Sequence, residues 1–162
     1  AKGVTIENAS GGNGTDTIIG NWTANTLTGN VGNDRINGLG GADKIIGGTG
    51  ADMLAGGGGA DDFIYVASSD SSGQPDIIKD FVHALDDIDV AAIDANGADA
   101  GNPAFVFLGN SAFTGAGAEA RFVKNATNDV TNVFLDIDGN QSADMTIRLT
   151  GLITLDAGDF IL

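Results

Sequence analysis

Cysteine is absent, so the chain holds no disulfide and no thiolate metal site. A single histidine, His83, argues against a zinc centre and reads as a surface or packing residue. Without a second histidine or a cysteine there is no familiar nucleophile–base pair, and no HExxH segment exists, so no catalytic residues are expected. Two prolines beside 26 glycines exclude collagen and a polyproline linker. Basic residues number only 7 against 22 acidic ones, and the net charge of -15 disfavours nucleic acid or an anionic membrane as partner. Nothing reads as a signal peptide or a membrane span, so no stable membrane insertion is expected.

What the chain does have is glycine and aspartate. Glu7 and Glu119 are the only glutamates, which leaves 20 Asp. Aspartate is favoured in turns and is a short, stiff ligand for hard cations. Hydrophobic residues make up 42% of the chain, enough for a packed core. The opening "AKGVTIEN" reads as a cut inside a longer protein.

From Gly11 the chain divides into six nonapeptides: GGNGTDTII, GNWTANTLT, GNVGNDRIN, GLGGADKII, GGTGADMLA and GGGGADDFI. Position 1 is Gly in all six. Position 4 is Gly in all but the second, where Thr23 stands. Position 6 is Asp16, Asn25, Asp34, Asp43, Asp52 and Asp61; position 8 is Ile18, Leu27, Ile36, Ile45, Leu54 and Phe63. Each nonapeptide predicts a six-residue turn and a three-residue strand, with the position-8 side chain pointing inward. Two repeats make one coil, and coils stack about 4.8 Å apart. Odd repeats then align Asp16, Asp34 and Asp52; even repeats align Asn25, Asp43 and Asp61. Stacked carboxylates repel by about 3 kcal/mol per neighbouring pair at an effective dielectric near 20. Ordering glycine adds a further cost. A hard divalent cation between successive turns offsets both, and a site completed by backbone carbonyls suits calcium better than magnesium.

These residues resemble the RTX nonapeptide, a calcium-binding parallel β-roll. Together with "GVTIENASGGNGTD", "FIYVASSDS", "DIIKDF", "DDIDV" and the final "DFIL", the chain resembles over essentially its whole length the C-terminal domain of serralysins, secreted bacterial zinc metalloproteases. The resemblance implies about three to five calcium ions. Their ligands would be position-6 side chains plus carbonyls at positions 1 and 3 of one turn and 2 and 4 of the next. Asp16 and Asp34 would share an ion with Gly11, Asn13, Asn30 and Gly32. Asp34 and Asp52 would share one with Gly29, Val31, Gly48 and Gly50; Asp43 and Asp61 one with Gly38, Gly40, Gly57 and Gly59. The second repeat departs from the pattern, because Trp22 and Thr23 replace turn residues and Asn25 is neutral. Asn21, Asn30 and Leu39 replace the second glycine; Asn suits a left-handed backbone and Leu39 does not. Asp70, Asp76 and Asp80 have two readings, a further calcium site as the resemblance implies or ordinary turn and strand-edge solvation. The resemblance further implies an upstream catalytic domain, an extracellular location, and a type I ABC exporter that reads the C-terminus; the chain is expected to be monomeric.

After Ile64 the period vanishes and apolar alternation takes over. "FIYVA", "DIIKDF", "DIDVAAI", "AFVFLG", "EARFVKN", "VTNVFLDI", "DMTIRLT" and "DFIL" read as short strands. The expected fold is therefore all-β, a parallel roll over residues 1–66 and an antiparallel sandwich over residues 67–162 that caps it. "DIDGNQSAD" (residues 136–144) starts like an EF-hand loop, but loop position 12 falls on Ile147, so a hairpin turn is read there. "DFIL" reads as a terminal strand after folding and an export tag before it, far along the chain from the ion-binding turns. The alternative is a polysaccharide- or cell-surface-binding RTX module, resembling those of alginate epimerases or S-layer proteins; on the roll, Trp22, Arg35 and Lys44 are its only support.

Overall fold

A computed structural model describes residues 7–94 and 104–162. The opening residues 1–6, read above as part of a cut and of the serralysin-like segment, lie outside the described residues. The strands are β1 (Asn8–Ser10), β2 (Thr17–Asn21), β3 (Thr26–Val31), β4 (Arg35–Leu39), β5 (Lys44–Thr49), β6 (Met53–Ala55) and β7 (Asp62–Ile64), then β8 (Asp76–Ile78), β9 (Asp87–Asp89), β10 (Val106–Phe107), β11 (Glu119–Asn125), β12 (Val130–Asp136), β13 (Met145–Thr150) and β14 (Phe160–Ile161). Odd and even repeats build opposite walls. One sheet runs β1-β3-β5-β7-β9-β14; the other runs β10-β11-β12-β13-β8-β6-β4-β2.

The eighteen-residue coil is visible in the register. Ile18 pairs with Ile36 and Ile36 with Leu54 on one wall; Leu27 pairs with Ile45 and Ile45 with Phe63 on the other. All six position-8 side chains are buried and form the narrow core between the walls. Several strands exceed the expected three residues: β3 and β5 each run for six, into the first positions of the following turn.

Parallel stacking continues after the nonapeptides end. β8 pairs in parallel with β6, and β9 with β7. Each of the eight segments read as strands contains one, but not all are antiparallel: β8, β9 and β14 stack parallel to the roll, and β10 is parallel to β11. The antiparallel part is the meander β11–β12–β13. Its last strand pairs in parallel with β8, so the cap is hydrogen-bonded onto the end of the roll. On β13, Met145, Ile147 and Leu149 face the core, as the alternation predicts. The fold is thus all-β, a parallel β-roll closed by a mixed, largely antiparallel cap.

Two glycines show what the turns demand. Gly48 has φ +90° and Gly50 φ +144°; a Cβ on either would overlap a carbonyl oxygen of the coil before, that of Asn30 or of Gly32. Leu39 contradicts its expectation. It sits at φ 75°, in the same left-handed region as Asn30 at 78°. Its carbonyl accepts from Gly58 N–H at 3.1 Å and lies against Gly57, so stacking holds a backbone that leucine alone disfavours.

Gly50→Ala will lower the thermal midpoint of the folded domain, by more than about 2 kcal/mol in stability, because both its φ and its space are taken. Gly58→Ala, where a Cβ meets nothing within 4 Å, will be close to neutral. Melting curves of the two variants, followed by circular dichroism, check the contrast; equal losses would show that the stacking geometry at Gly50 does not set the cost.

Candidate metal centre

The position-6 residues form two ladders through their backbone. Asp16 N–H donates to Asp34 Oδ1, and Asp34 N–H to Asp52 Oδ1, each at 2.8 Å. Opposite, Asn25 N–H donates to Asp43 Oδ1 at 2.7 Å and Asp43 N–H to Asp61 Oδ1 at 2.9 Å. Each carboxylate therefore reaches back one coil, which fixes its rotamer. The second oxygen is left over. Oδ2 of Asp34, Asp43, Asp52, Asp61 and Asp76 is buried with no hydrogen-bond partner. Five orphaned carboxylate oxygens in two files are a donor set suited to a hard cation, and such groups are rarely tolerated without one.

Position-1 glycine has its reason here. A Cβ at Gly11 would lie 2.6 Å from Asp16 Oδ2 and 2.7 Å from the Gly29 carbonyl oxygen. The same two kinds of oxygen crowd Gly29, through Asp34 and Gly47, and Gly38, through Asp43 and Gly56. None of the six position-1 glycines has positive φ, so space alone excludes a side chain there. Among the expected carbonyl donors, those of Asn30 and Gly32 face the turn of Gly48 and Gly50, and that of Gly11 accepts from Asn30 Nδ2 at 2.8 Å.

The first coil differs. Asp16 is half-buried and its Oδ2 accepts from Gly12 N–H at 2.6 Å. Asn25 places Oδ1 where the aspartates place Oδ2, accepting from Asn21 N–H at 2.8 Å.

Past Ile64 both ladders continue. Asp52 N–H donates to Asp76 Oδ1 at 2.8 Å, and Asp61 N–H to Asp86 Oδ1 at 3.1 Å. Asp76 was singled out in the sequence; Asp86 was not. They follow their predecessors by 24 and 25 residues instead of 18. The signal that could have found Asp86 is local: "DDID" repeats the "DDFI" of residues 61–64, acid before an inward apolar residue. Asp80 uses both oxygens on the roll, accepting from Gly56 N–H at 3.0 Å and Gly57 N–H at 2.9 Å. Asp70 Oδ2 accepts from Val66 and Ala67 N–H at 2.8 and 3.0 Å.

Burial raises the pKa values of these carboxyls. Asp52 and Asp61 are pushed up to about 6 and Asp76 to about 8, by desolvation first; the backbone N–H each accepts pulls the other way, and neighbouring carboxylates add to the rise. Asp43 and Asp86 are raised by the same desolvation.

Two further clusters bring ligand atoms within 4.8 Å of one another, His83 with Asp156 and Asp159, and Asp136 with Asp138 and Asp144. In the first, His83 Nδ1 lies 2.8 Å from Asp159 Oδ1. In the second, Asp136 accepts from Gly139, Asn140 and Gln141 N–H, which closes the loop between β12 and β13 as a hairpin.

A parallel β-roll with stacked acidic turns is the class that this geometry defines. All of residues 1–162 match the family described as Peptidase M10 serralysin C terminal. The metalloprotease AprA of Pseudomonas entomophila (strain L48) is 48% identical over 93% of this chain and 29% of its own length. Serralysin C of Dickeya chrysanthemi is 48% identical over 99% and 30%, and the serralysin of Photorhabdus laumondii 46% over 100% and 31%. The chain belongs to this serralysin C-terminal family, of an extracellular type, and spans about a third of the length of the curated relatives it matches. Among solved structures, the AlgE6R2 and AlgE6R3 subunits of the Azotobacter vinelandii mannuronan C5-epimerase each align at TM-score 0.69. Identity is 25% and 24%, over 100% and 99% of this chain and 94% and 86% of theirs, and the latter likeness speaks for the fold alone.

In the metal-free domain the raised carboxyls reverse the usual acid sensitivity. The unfolded chain titrates its aspartates near pH 3.9, so between about pH 4 and 8 the folded state holds more protons and its stability falls as pH rises. In excess chelator, the β-signal and melting midpoint will be higher at about pH 5.5 than at about pH 8. Paired melts by circular dichroism check this, and a midpoint that climbs with pH would contradict it.

Proposed function

We propose that this domain is a calcium-binding module that folds when it meets calcium outside the cell, carries a type I secretion signal at its C-terminus, and supports the folding of an upstream zinc metalloprotease. The nonapeptides give out near residue 66, and the cation-binding roll runs on through β8 and β9 to its cap. The observation that carries the reading is the set of five buried, unpartnered carboxylate oxygens in two files. Asp34, Asp43, Asp52 and Asp61 would hold the ions with the turn carbonyls, Asp16 completing the first odd-file site and Asp76 and Asp86 extending the files. Calcium binds the folded state only and so draws folding forward by mass action. Inside the cell, where calcium is scarce, the chain stays unfolded and threads an ABC exporter.

The tail fits this sequence of events. In the fold Phe160 packs 5.0 Å from Phe107 and Asp159 is fully buried. Asp159 accepts from His83 and from Ala84 N–H at 2.9 Å, on the turn that leads to Asp86, so the tail lies nearer the end of the roll than chain distance implies. A tag exposed in the unfolded chain is thus partly covered once the domain folds, with Asp159 and Phe160 buried and Ile161 left exposed. The alternative, a polysaccharide- or surface-binding module, rests on Trp22, 81% exposed, with Arg35 and Lys44; in a domain of charge -15 that is a small patch, and it ranks second.

In excess chelator at neutral pH the domain will be largely disordered, and calcium at millimolar level will restore the β-signal while magnesium substitutes poorly. Circular dichroism titrations test the proposal; an unchanged, folded spectrum in chelator would sink it. Asp34→Ala will shift the calcium midpoint further than Asp16→Ala, because Asp34 stands between Asp16 and Asp52 and serves an ion on either side. Equal shifts would contradict the shared-ligand arrangement.

A further inference from the structure

Tyr65 is the only tyrosine of the chain, and it is fully buried. It follows β7 at the point where the nonapeptides give out. Its hydroxyl has no hydrogen-bond partner among the described residues. Asp76, Asp52 and Asp70 are the charged groups that surround it, Asp76 foremost. Oδ2 of Asp76 is itself buried and unpartnered, as is Oδ2 of Asp52. Phenol and carboxylate therefore stand close enough to interact without a well-formed bond between them. A packing role needs the ring and not the hydroxyl; an apolar core would be served by phenylalanine, which already fills the equivalent inward position at Phe63.

The elements around the hydroxyl are otherwise fixed. Asp76 Oδ1 is held by Asp52 N–H, and Asp76 N–H donates to Ser71 Oγ at 2.8 Å. Ser71 in turn donates to the Thr146 carbonyl on β13 at 2.6 Å, and Asp70 is held by Val66 and Ala67. The one free choice in this corner is where Asp76 Oδ2 points and what donates to it. Up to Asp52, each ladder residue is followed by another nonapeptide. At Asp76 the repeat is gone and the eleven residues between β7 and β8 replace the glycine turn; here the phenol is the donor at hand.

We propose that Tyr65 is a positioning residue for the last odd-file cation, its hydroxyl donating to the Asp76 carboxylate so that Asp76 and Asp52 present their second oxygens to the same ion. This rests on the calcium reading of the files. A neutral donor suits the task. It stabilises an ionised carboxylate without competing for it as an ammonium would, and it keeps the cation's own attraction intact. The consequence is local: the hydroxyl acts on the Asp52–Asp76 site and leaves the Asp16–Asp34, Asp34–Asp52 and Asp43–Asp61 sites alone.

Terbium in place of calcium tests this, because a phenol beside the ion sensitises its green emission. In the whole domain, excitation in the tyrosine band will give sensitised terbium emission. It will persist in Trp22→Phe and disappear in Tyr65→Phe. Calcium titration calorimetry of Tyr65→Phe will show one site weakened about tenfold, the rest unchanged, and a full β-signal at saturating calcium. Wild-type affinity at every site in Tyr65→Phe, or terbium bound without tyrosine-sensitised emission, would overturn the role of Tyr65 while leaving the calcium reading standing. If the wild-type domain binds neither ion, both fall. Should Tyr65→Phe fail to fold even in saturating calcium, Asp76→Asn keeps the question open to test: its tyrosine-sensitised emission must drop, and emission at the wild-type level would overturn the proposal.

Discussion

Five buried aspartates of the roll, Asp34, Asp43, Asp52, Asp61 and Asp76, each give one carboxylate oxygen to the backbone of the preceding coil and leave the other without a donor, whereas the second oxygen of Asp86 accepts from Val82 N–H at 2.8 Å. Everything else in the roll follows from that arrangement. The engaged oxygen fixes the register, since a ladder aspartate binds the N–H of the ladder residue one coil back. The free oxygen and a carbonyl of the next coil take up the space beside position 1, which only glycine leaves empty. The core between the walls is one large side chain per nonapeptide, too thin to outweigh the desolvation of five carboxylates by itself. The metal-free fold is therefore under strain of a defined kind, electrostatic and confined to the turns, which is where the divalent cation of the proposed function would act.

Where the chain keeps its period, the sequence is a direct reading of the structure. The position-8 residues from Ile18 to Phe63 are the core, and the parity of the repeats assigns each ladder aspartate to its wall. Two features of the turns were harder to read. Position-1 glycine looks like a conformational requirement but is a spatial one. Leu39 looks like an obstacle, yet the carbonyl and N–H groups of the neighbouring coils hold it at positive φ. Propensity describes a residue in isolation; in a stacked turn the backbone of the next coil contributes more than one residue's preference.

Past Ile64 the ladders became illegible because spacing, their only sequence signature, is lost. Asp76 and Asp86 sit 24 and 25 residues after their predecessors, outside the nine-residue period, and only the short echo of "DDFI" in "DDID" points to Asp86. Their surroundings are recognisable only in space. Asp80 clamps Gly56 and Gly57, and Asp70 caps its own short turn, so of four acids within seventeen residues two extend the files and two tie the excursions down. A cluster of aspartates in sequence thus divides into different tasks once the coil is wound.

The cap completes the constraint from the other side. A parallel roll ends in two open edges, each a row of unpaired backbone groups. Here β13 covers one at β8 and β14 covers the other at β9. The two covers draw on the ladder ends: Ser71 joins Asp76 to β13, and Asp159 joins β14 to the turn of His83 and Ala84 that leads into Asp86. Ordering the last rungs of the files therefore orders the edges that the cap and tail pair with. Closure of the roll and burial of Asp159 and Phe160 thus share the same rungs, and in the proposed function cation binding at the turns would draw both with it.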